Sequence, residues 1–327
     1  NTGNKNINNF ENFLYKNVSK HMPSSYLENY ENLVLKSKRK FWPKKPNVIF
    51  TSNAHYMDEV FKIWTANKIK DHNSKLVIGQ HGGHWGQGLF NFTENYELSI
   101  ADKFLSWGWS EKNKKNIYPV GIIKPIIPTK KDNLKEKMIF MLLGTDRYSH
   151  NLQSIPISSQ WINYFDNQVT FLKNLKDIIR NKVYFRLYPH DYHWNQKKRL
   201  EDNISNPNIF DKNLNYFDTF LDCKLAISGW NSTTFLETLA SNIPTIIFWD
   251  EKYFELRTSA IDDFEVLKKA NIYFDNPTNA ANHINSIWDD IDFWWNDIET
   301  QNARKFFLNK YAKLANITNE IANELKN

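Results

Sequence analysis

The sequence predicts an α/β protein made of two parallel-sheet domains, and two observations carry that expectation. Short apolar runs alternate with longer amphipathic segments from about residue 47 to residue 274, the pattern of strands covered by helices on both faces. The chain of 327 residues also exceeds the ~100–200 residues of an ordinary domain, so two cores are expected. The alternation is interrupted at 124–137, where Pro125, Pro128 and a run of lysines mark a linker. The expected division is 1–128, joined by carboxyl-terminal helices at about 298–327, and 129–297.

Taken in order, residues 6–40 read as helical, 47–51 (Asn-Val-Ile-Phe-Thr) as a strand, 57–70 as a helix and 75–79 (Lys-Leu-Val-Ile-Gly) as the next strand, which makes a β-α-β unit. Further short strands are expected at 104–107 and 117–120, with the glycines of Ser-Trp-Gly-Trp and Pro-Val-Gly as turns. The period then restarts with strand 137–143, helix 159–181 and strand 183–187. Strand 225–228, helix 233–240, strand 245–249 and a short strand 272–274 follow. The tail, 278–327, reads as amphipathic helix.

Composition narrows the function classes. No apolar run approaches the ~20 residues needed to span a bilayer, so no integral membrane segment is expected. Residues 1–9 are polar, with no apolar core of a secretory signal, and the chain opens on Asn1, which suggests a piece of a longer protein. The single cysteine, Cys223, excludes an internal disulfide and a multi-thiolate metal site, and its place beside an apolar strand points to packing. The excess of 42 Lys and Arg over 36 Asp and Glu implies weak attraction to anions, with lysines scattered early at Lys36, Lys38, Lys40, Lys44 and Lys45. Basic and aromatic residues do not interleave in a recognisable module, so a nucleic-acid partner is not expected. Most of the twelve Trp and 23 Phe should be core.

Four places hold candidate chemistry. At 227–246 an apolar strand end runs into Asn231, Ser232, Thr233 and Thr234, which open a helix carrying Glu237. A helix amino terminus and its hydroxyls favour a phosphate, and Glu237 is placed to accept from a ribose. An ordinary capped helix would look similar. At 79–88, Gly-Gln-His-Gly-Gly-His-Trp-Gly-Gln-Gly follows a strand, where glycines permit close backbone approach and ligands of α/β sheets gather. His81 and His84 are candidates for proton transfer. A structural turn is the plainer reading, and a metal site lacks a carboxylate at a recognisable spacing. At 51–59, Asp58 and Glu59 follow a strand and open a helix, where carboxylates serve stability alone or act as nucleophile or base. Finally, Arg147 in 145–150 and His190 in 186–194 close strands of the second half, able to hold a carboxylate or phosphate in one crevice with the Ser232–Thr234 turn.

Ile-Phe-Thr-Ser-Asn (49–53), Leu-Val-Ile-Gly-Gln-His-Gly-Gly (76–83), Ser-Trp-Gly-Trp (106–109), Asp-Arg-Tyr-Ser-His (146–150), Ile-Ser-Ser-Gln-Trp (157–161), Arg-Leu-Tyr-Pro-His-Asp-Tyr (186–192) and Asn-Ser-Thr-Thr-Phe-Leu-Glu-Thr-Leu-Ala (231–240) occur in this order. Together they resemble the LIC12162-like family of bacterial surface-carbohydrate transferases. That family is similar to retaining β-Kdo glycosyltransferases of the GT99 type, which build lipopolysaccharide O-antigen from CMP-Kdo. The resemblance implies a GT-B fold of two Rossmann-like domains facing a central cleft. It implies transfer with retention through a covalent aspartyl adduct, with Asp58 or Glu59 as the nearest carboxylates and His81 or His84 assisting. CMP would lie on His190, Ser232, Thr233, Thr234 and Glu237, and the acidic sugar would pair with Arg147 and Arg186. It departs from the family pattern in residues 1–48 and at His84-Trp85.

The expected partners are a nucleotide-sugar donor, CMP-Kdo or a related CMP-sugar, and a glycan acceptor, with no cofactor and no metal. The expected place is the cytoplasm, with the inner face of the inner membrane and peripheral association there as one setting. A CDP-alcohol or polyol-phosphate transferase, and a non-catalytic glycan-binding module, are the alternative readings.

Overall fold

The computed structural model describes residues 8–127, 136–149, 152–211, 214–220 and 222–326. The core of the expected linker, its 128/129 boundary and His150 lie outside the described residues. The chain divides into two compact units, Asn1–Ile78 and Gly79–Asn327.

The first unit holds α1 (Asn9–His21), α2 (Tyr30–Arg39), β1 (Val48–Thr51), α3 (Ala54–Met57), α4 (Glu59–His72) and β2 (Lys75–Gly79). β1 and β2 are parallel, with Val48 opposite Lys75 and Thr51 opposite Ile78, and α4 is the crossover between them. The expected helix over 6–40 is broken after His21, because Pro23 supplies no N–H to continue it. The expected helix from residue 57 is two helices, since Asp58 leaves the helical conformation to cap α4.

In the second unit, α5 (Phe92–Ile100) precedes the parallel pair β3 (Lys103–Ser106) and β4 (Ile117–Pro119). A six-stranded parallel sheet follows, formed by β5 (Lys137–Met141), β6 (Val183–Arg186), β7 (Asn208–Ile209), β8 (Cys223–Ser228), β9 (Thr245–Phe248) and β10 (Tyr273–Phe274) in the order β10-β9-β8-β5-β6-β7. Its helices are α6 (Gln160–Asn174), α7 (Asp177–Arg180), α8 (Gln196–Asn203), α9 (Tyr216–Phe220), α10 (Thr233–Ala240), α11 (Thr258–Lys269) and α12 (Pro277–Ile287). The expected helix over 159–181 is divided at Leu175 and Lys176 into α6 and α7. α13 (Ile291–Trp295), α14 (Ile298–Tyr311) and α15 (Ile317–Lys326) complete the tail.

The central strand β8 carries Leu225, Ala226 and Ile227 with no exposed surface, as a strand covered on both faces requires. Phe140 of β5 lies within aromatic contact of Phe171, Phe185 and Phe248 in the core, whereas Phe10, Phe13, Phe41, Phe50, Phe90, Phe293 and Phe306 are exposed, so core packing accounts for only part of the abundance of Phe. Cys223 packs in the same sheet, and burial pushes its thiol up to about 12, leaving it inert. The tail turns back onto β3 and β4: Lys313 N donates to Trp107 O, and Ile122 N donates to Lys313 O, at 2.8 and 2.9 Å. Among the described residues no helix is long and apolar enough to cross a membrane.

Candidate functional site

The six-stranded sheet reverses direction of build between β5 and β8: the chain runs outward from β5 to β7, then resumes at β8 and runs to β10. Such a switch point leaves a crevice at the carboxyl ends of the strands. β8 ends at Ser228, and Gly229–Ser232 carry the chain into α10. Among the described residues no side-chain hydrogen bond caps α10 at Ser232; its Oγ lies 3.4 Å from Ser228 Oγ instead. An amino terminus without a cap presents its N–H groups and the positive end of its dipole to whatever occupies the cavity beyond.

That cavity, of about 600 Å³, is lined by Ser232, Thr233, Thr234 and Glu237, by Trp230 and Asn231, by His81–Trp85, and by Lys124, Gln153, Ile155, Tyr188 and Tyr216. It therefore brings the glycine loop and the hydroxyl turn together. Gly83 N donates to Thr233 Oγ1 at 3.0 Å. A Cβ on Gly83 would lie 2.5 Å from Ser232 O and 2.8 Å from Thr233 Cα, so only glycine permits this approach.

The loop is held from behind by buried polar groups. Gln80 Oε1 accepts from Trp107 N and Trp109 Nε1, Glu97 accepts from Trp85 Nε1, and Glu94 Oε2 accepts from Gly86 N. Arg257, between β9 and α11, donates to both oxygens of Glu94 at 2.8 Å, to Glu111 at 2.6 Å and to Gly88 O at 3.2 Å. This fork ties the loop's end to α5.

His84 and His81 have different fates. His84 is buried, its Nε2 lies 3.2 Å from Ser154 O, and its Nδ1 lies 3.3 Å from Asn91 Nδ2. Burial lowers its pKa to about 4, so the neutral ring donates through Nε2 and accepts through Nδ1. These bonds give it a positioning part. His81 is exposed at the rim, with its ring 4.8 Å from that of Trp85.

Glu237 is mostly buried and accepts from the Tyr216 hydroxyl, and burial raises its pKa, opposed by that hydrogen bond and by the charge of Lys124. The carboxylate read as a ribose acceptor thus already has a protein donor. Arg186 reaches the cavity only through Tyr216: its guanidinium lies 5.2 Å from the Tyr216 ring and donates to Thr219. Two buried polar atoms at the cavity have no partner among the described residues, Asn231 Oδ1 and Trp230 Nε1. Such atoms are costly unless a ligand or water completes them.

Arg147 and His190 line a different cavity, of about 670 Å³, between the 146–148 and 189–193 segments. Arg147 there donates to His193 O and lies over the Trp194 ring. From the 186–194 run, Tyr188 lines the α10 cavity. Asp58 and Glu59 belong to the first unit. Asp58 Oδ1 accepts from Val60 N and Phe61 N at 2.9 and 3.0 Å as the cap of α4, and Glu59 pairs with Lys62 at 2.6 Å. Lys124, Tyr216 and Arg257 escaped the sequence reading: Lys124 stood in a lysine-rich linker, and Tyr216 and Arg257 sit in no motif. Among the described residues no three His, Cys, Asp or Glu side chains are grouped as metal ligands would be.

The chain matches the model of the family described as LIC12162 family transferase over residues 1–325. It belongs to that family. No curated protein matches the chain. Among solved structures, it is similar to MnaA of S. aureus in a co-structure with UDP, at 10% identity and a TM-score of 0.51, covering 98% of this chain and 82% of that one. It is also similar to the spinosyn rhamnosyltransferase SpnG complexed with spinosyn aglycone, at 13% identity and TM-score 0.48, covering 98% and 83%. A putative UDP-N-acetylglucosamine 2-epimerase from Listeria monocytogenes follows at 11% and 0.49, covering 93% and 77%. The fold of this transferase is α/β of the GT-B type, with parallel sheets.

Proposed function

We propose that this transferase is a glycosyltransferase that takes an acidic sugar, Kdo or a close relative, from a CMP-activated donor and passes it to a bacterial surface glycan. The observation that carries the reading is the α10 cavity, where an uncapped helix amino terminus, three hydroxyls and Lys124 converge beside the unpartnered Asn231 Oδ1. Backbone N–H groups and Lys124 would hold the donor phosphate. As the bond from sugar to phosphate breaks, negative charge grows on that phosphate, and fixed donors aimed there stabilise it. Tyr188 and Trp230 offer aromatic faces to the base.

The choice of CMP and Kdo, and transfer with retention, rest on the resemblance of the ordered motifs. In that scheme Asp58 or Glu59 attacks the sugar, and the acceptor hydroxyl displaces the carboxylate while His81 takes its proton. The reaction belongs on the cytoplasmic side of the membrane that carries the acceptor.

A thermal-shift panel of CMP, CDP, UDP, GDP and ADP tests the donor site. CMP should stabilise the chain most, and Lys124→Gln should reduce that shift. Absence of a shift with every nucleotide would remove the proposal. Intact mass after incubation with CMP-Kdo tests retention, through an adduct of sugar mass on the 58–59 peptide.

A further inference from the structure

We propose that α1, α2 and the segment 40–45 form a docking surface for an anionic membrane. α1 is a well-made helix: Asn8 and Glu11 form a reciprocal capping box, and Lys20 and His21 stand in its last turn. Yet it buries no residue. Phe10, Phe13, Leu14 and Val18 recur at helical spacing on one face, and Phe10 and Phe13 are 67% and 60% exposed. In α2, Leu33 and Ser37 are buried while Leu35 is exposed, and Phe41 beyond its end is fully exposed. Among the described residues this α1 face, Leu35 and Phe41 are left exposed.

Charge identifies the partner. Residues 1–45 contain nine Lys and Arg against three Asp and Glu, and residues 46–327 contain 33 of each. The whole formal excess of +6 therefore resides in the first 45 residues. Every basic side chain described from Lys16 to Lys45 is exposed, and among the described residues none of them forms an ion pair. A nucleic acid would answer the charge but offers nothing to the aliphatic Leu14 and Val18. A bilayer interface answers both: the apolar face enters the boundary between headgroups and acyl chains while ammonium groups meet lipid phosphates. Aromatic residues such as the exposed Phe10, Phe13 and Phe41 suit that depth. The proposal does not depend on which donor the α10 cavity holds.

Co-sedimentation of the full chain with phosphatidylcholine vesicles, with and without phosphatidylglycerol, tests the proposal. Binding should require phosphatidylglycerol and weaken as salt is raised. Phe13→Ser with Leu14→Ser, and separately Lys36→Glu with Lys38→Glu and Lys40→Glu, should each lower the partition coefficient about tenfold or more. All five positions are exposed, so matched thermal melts should show both variants folded. Equal binding to neutral vesicles, or binding untouched by the Phe13 and Leu14 changes, overturns the proposal. So does a dimer in analytical ultracentrifugation that Phe13→Ser dissolves, which assigns the face to a second copy. Binding to a single-stranded RNA in preference to the anionic vesicles overturns it as well.

Discussion

Gly83 is the residue at which two motifs become one site. A methyl group there has nowhere to go, because the nearest atoms are backbone of Ser232 and Thr233 and the end of Leu236. Gly83→Ala is expected to push the loop off α10, costing about 1–3 kcal/mol of stability as overpacking and lowering nucleotide affinity with it. A folded Gly83→Ala protein with unchanged melting and unchanged nucleotide binding would separate the loop from the site. The two threonines should differ in an informative way. Thr233 Oγ1 accepts from Gly83 N and has only its proton left for a phosphate, whereas the Thr234 side chain hydrogen-bonds the Tyr216 hydroxyl. Thr233→Ala leaves Gly83 N without its acceptor and should lower both stability, by about 1 kcal/mol, and nucleotide affinity; Thr234→Ala leaves Tyr216 its bond to Glu237, so it should cost less stability and lose affinity by roughly 1.5–3 kcal/mol for a bond to a charged phosphate. Calorimetric titration with CMP beside chemical denaturation reads both quantities. Matching profiles for the two variants would refute this division.

At the scale of elements, α5, the glycine loop and the start of α11 are fastened by one arginine. Glu94 is nearly fully buried and Arg257 mostly so, and such pairs matter chiefly when one partner is removed. Arg257→Met should therefore destabilise by about 3–5 kcal/mol, while Arg257→Met with Glu94→Gln should recover part of the loss. Additive losses in a double-mutant denaturation series would deny the coupling. The same network explains which parts of the fold were legible in the sequence. β2, β8 and β9 were readable because continuous apolar runs between polar turns suit strands buried on both faces, β1 as a short apolar run although its Phe50 is exposed, and α10 because hydroxyls open it. α5 was not readable: its Glu94 and Glu97 look like surface charges in sequence, but Glu94 is met by Gly86 N and by Arg257, more than a hundred and fifty positions away, and Glu97 by Trp85. Lys124 was obscured by the lysines that follow it. His84 and His81 are three residues apart in one loop, and only the fold distinguishes the buried ring from the exposed one. For the 227–246 stretch both readings of the helix start were open, and whether the Ser232 side chain caps the helix is invisible in residue names.

Across the whole molecule, acid should act on two histidines that the fold keeps neutral. His84 is enclosed between Ser154, Asn91 and Gly88, and burial lowers its pKa to about 4 from an ordinary 6.5. His283 lies against Phe274 and Trp294, its Nε2 buried without a partner among the described residues, and burial lowers its pKa to about 4 as well. A histidine with a lowered folded pKa binds fewer protons in the native than in the unfolded chain between those two values. Its stabilising contribution is complete above pH 6.5 and is lost as the pH falls from 6.5 toward 4. For His84 a shift of this size amounts to at most roughly 3 kcal/mol, and less is expected of the half-buried His283. Carboxylates also titrate toward the acid end of this range, so the total slope does not isolate the histidines. The comparison that does is His84→Gln against the parent chain, since all other groups are common to both. Denaturation free energies measured from pH 7 down to pH 4.5 should fall more steeply for the parent than for His84→Gln, with the curves converging as the pH drops. Parallel curves would mean that His84 titrates as it does in the unfolded chain, and the loop that surrounds it would then be open to water rather than sealed by Ser154 and Asn91.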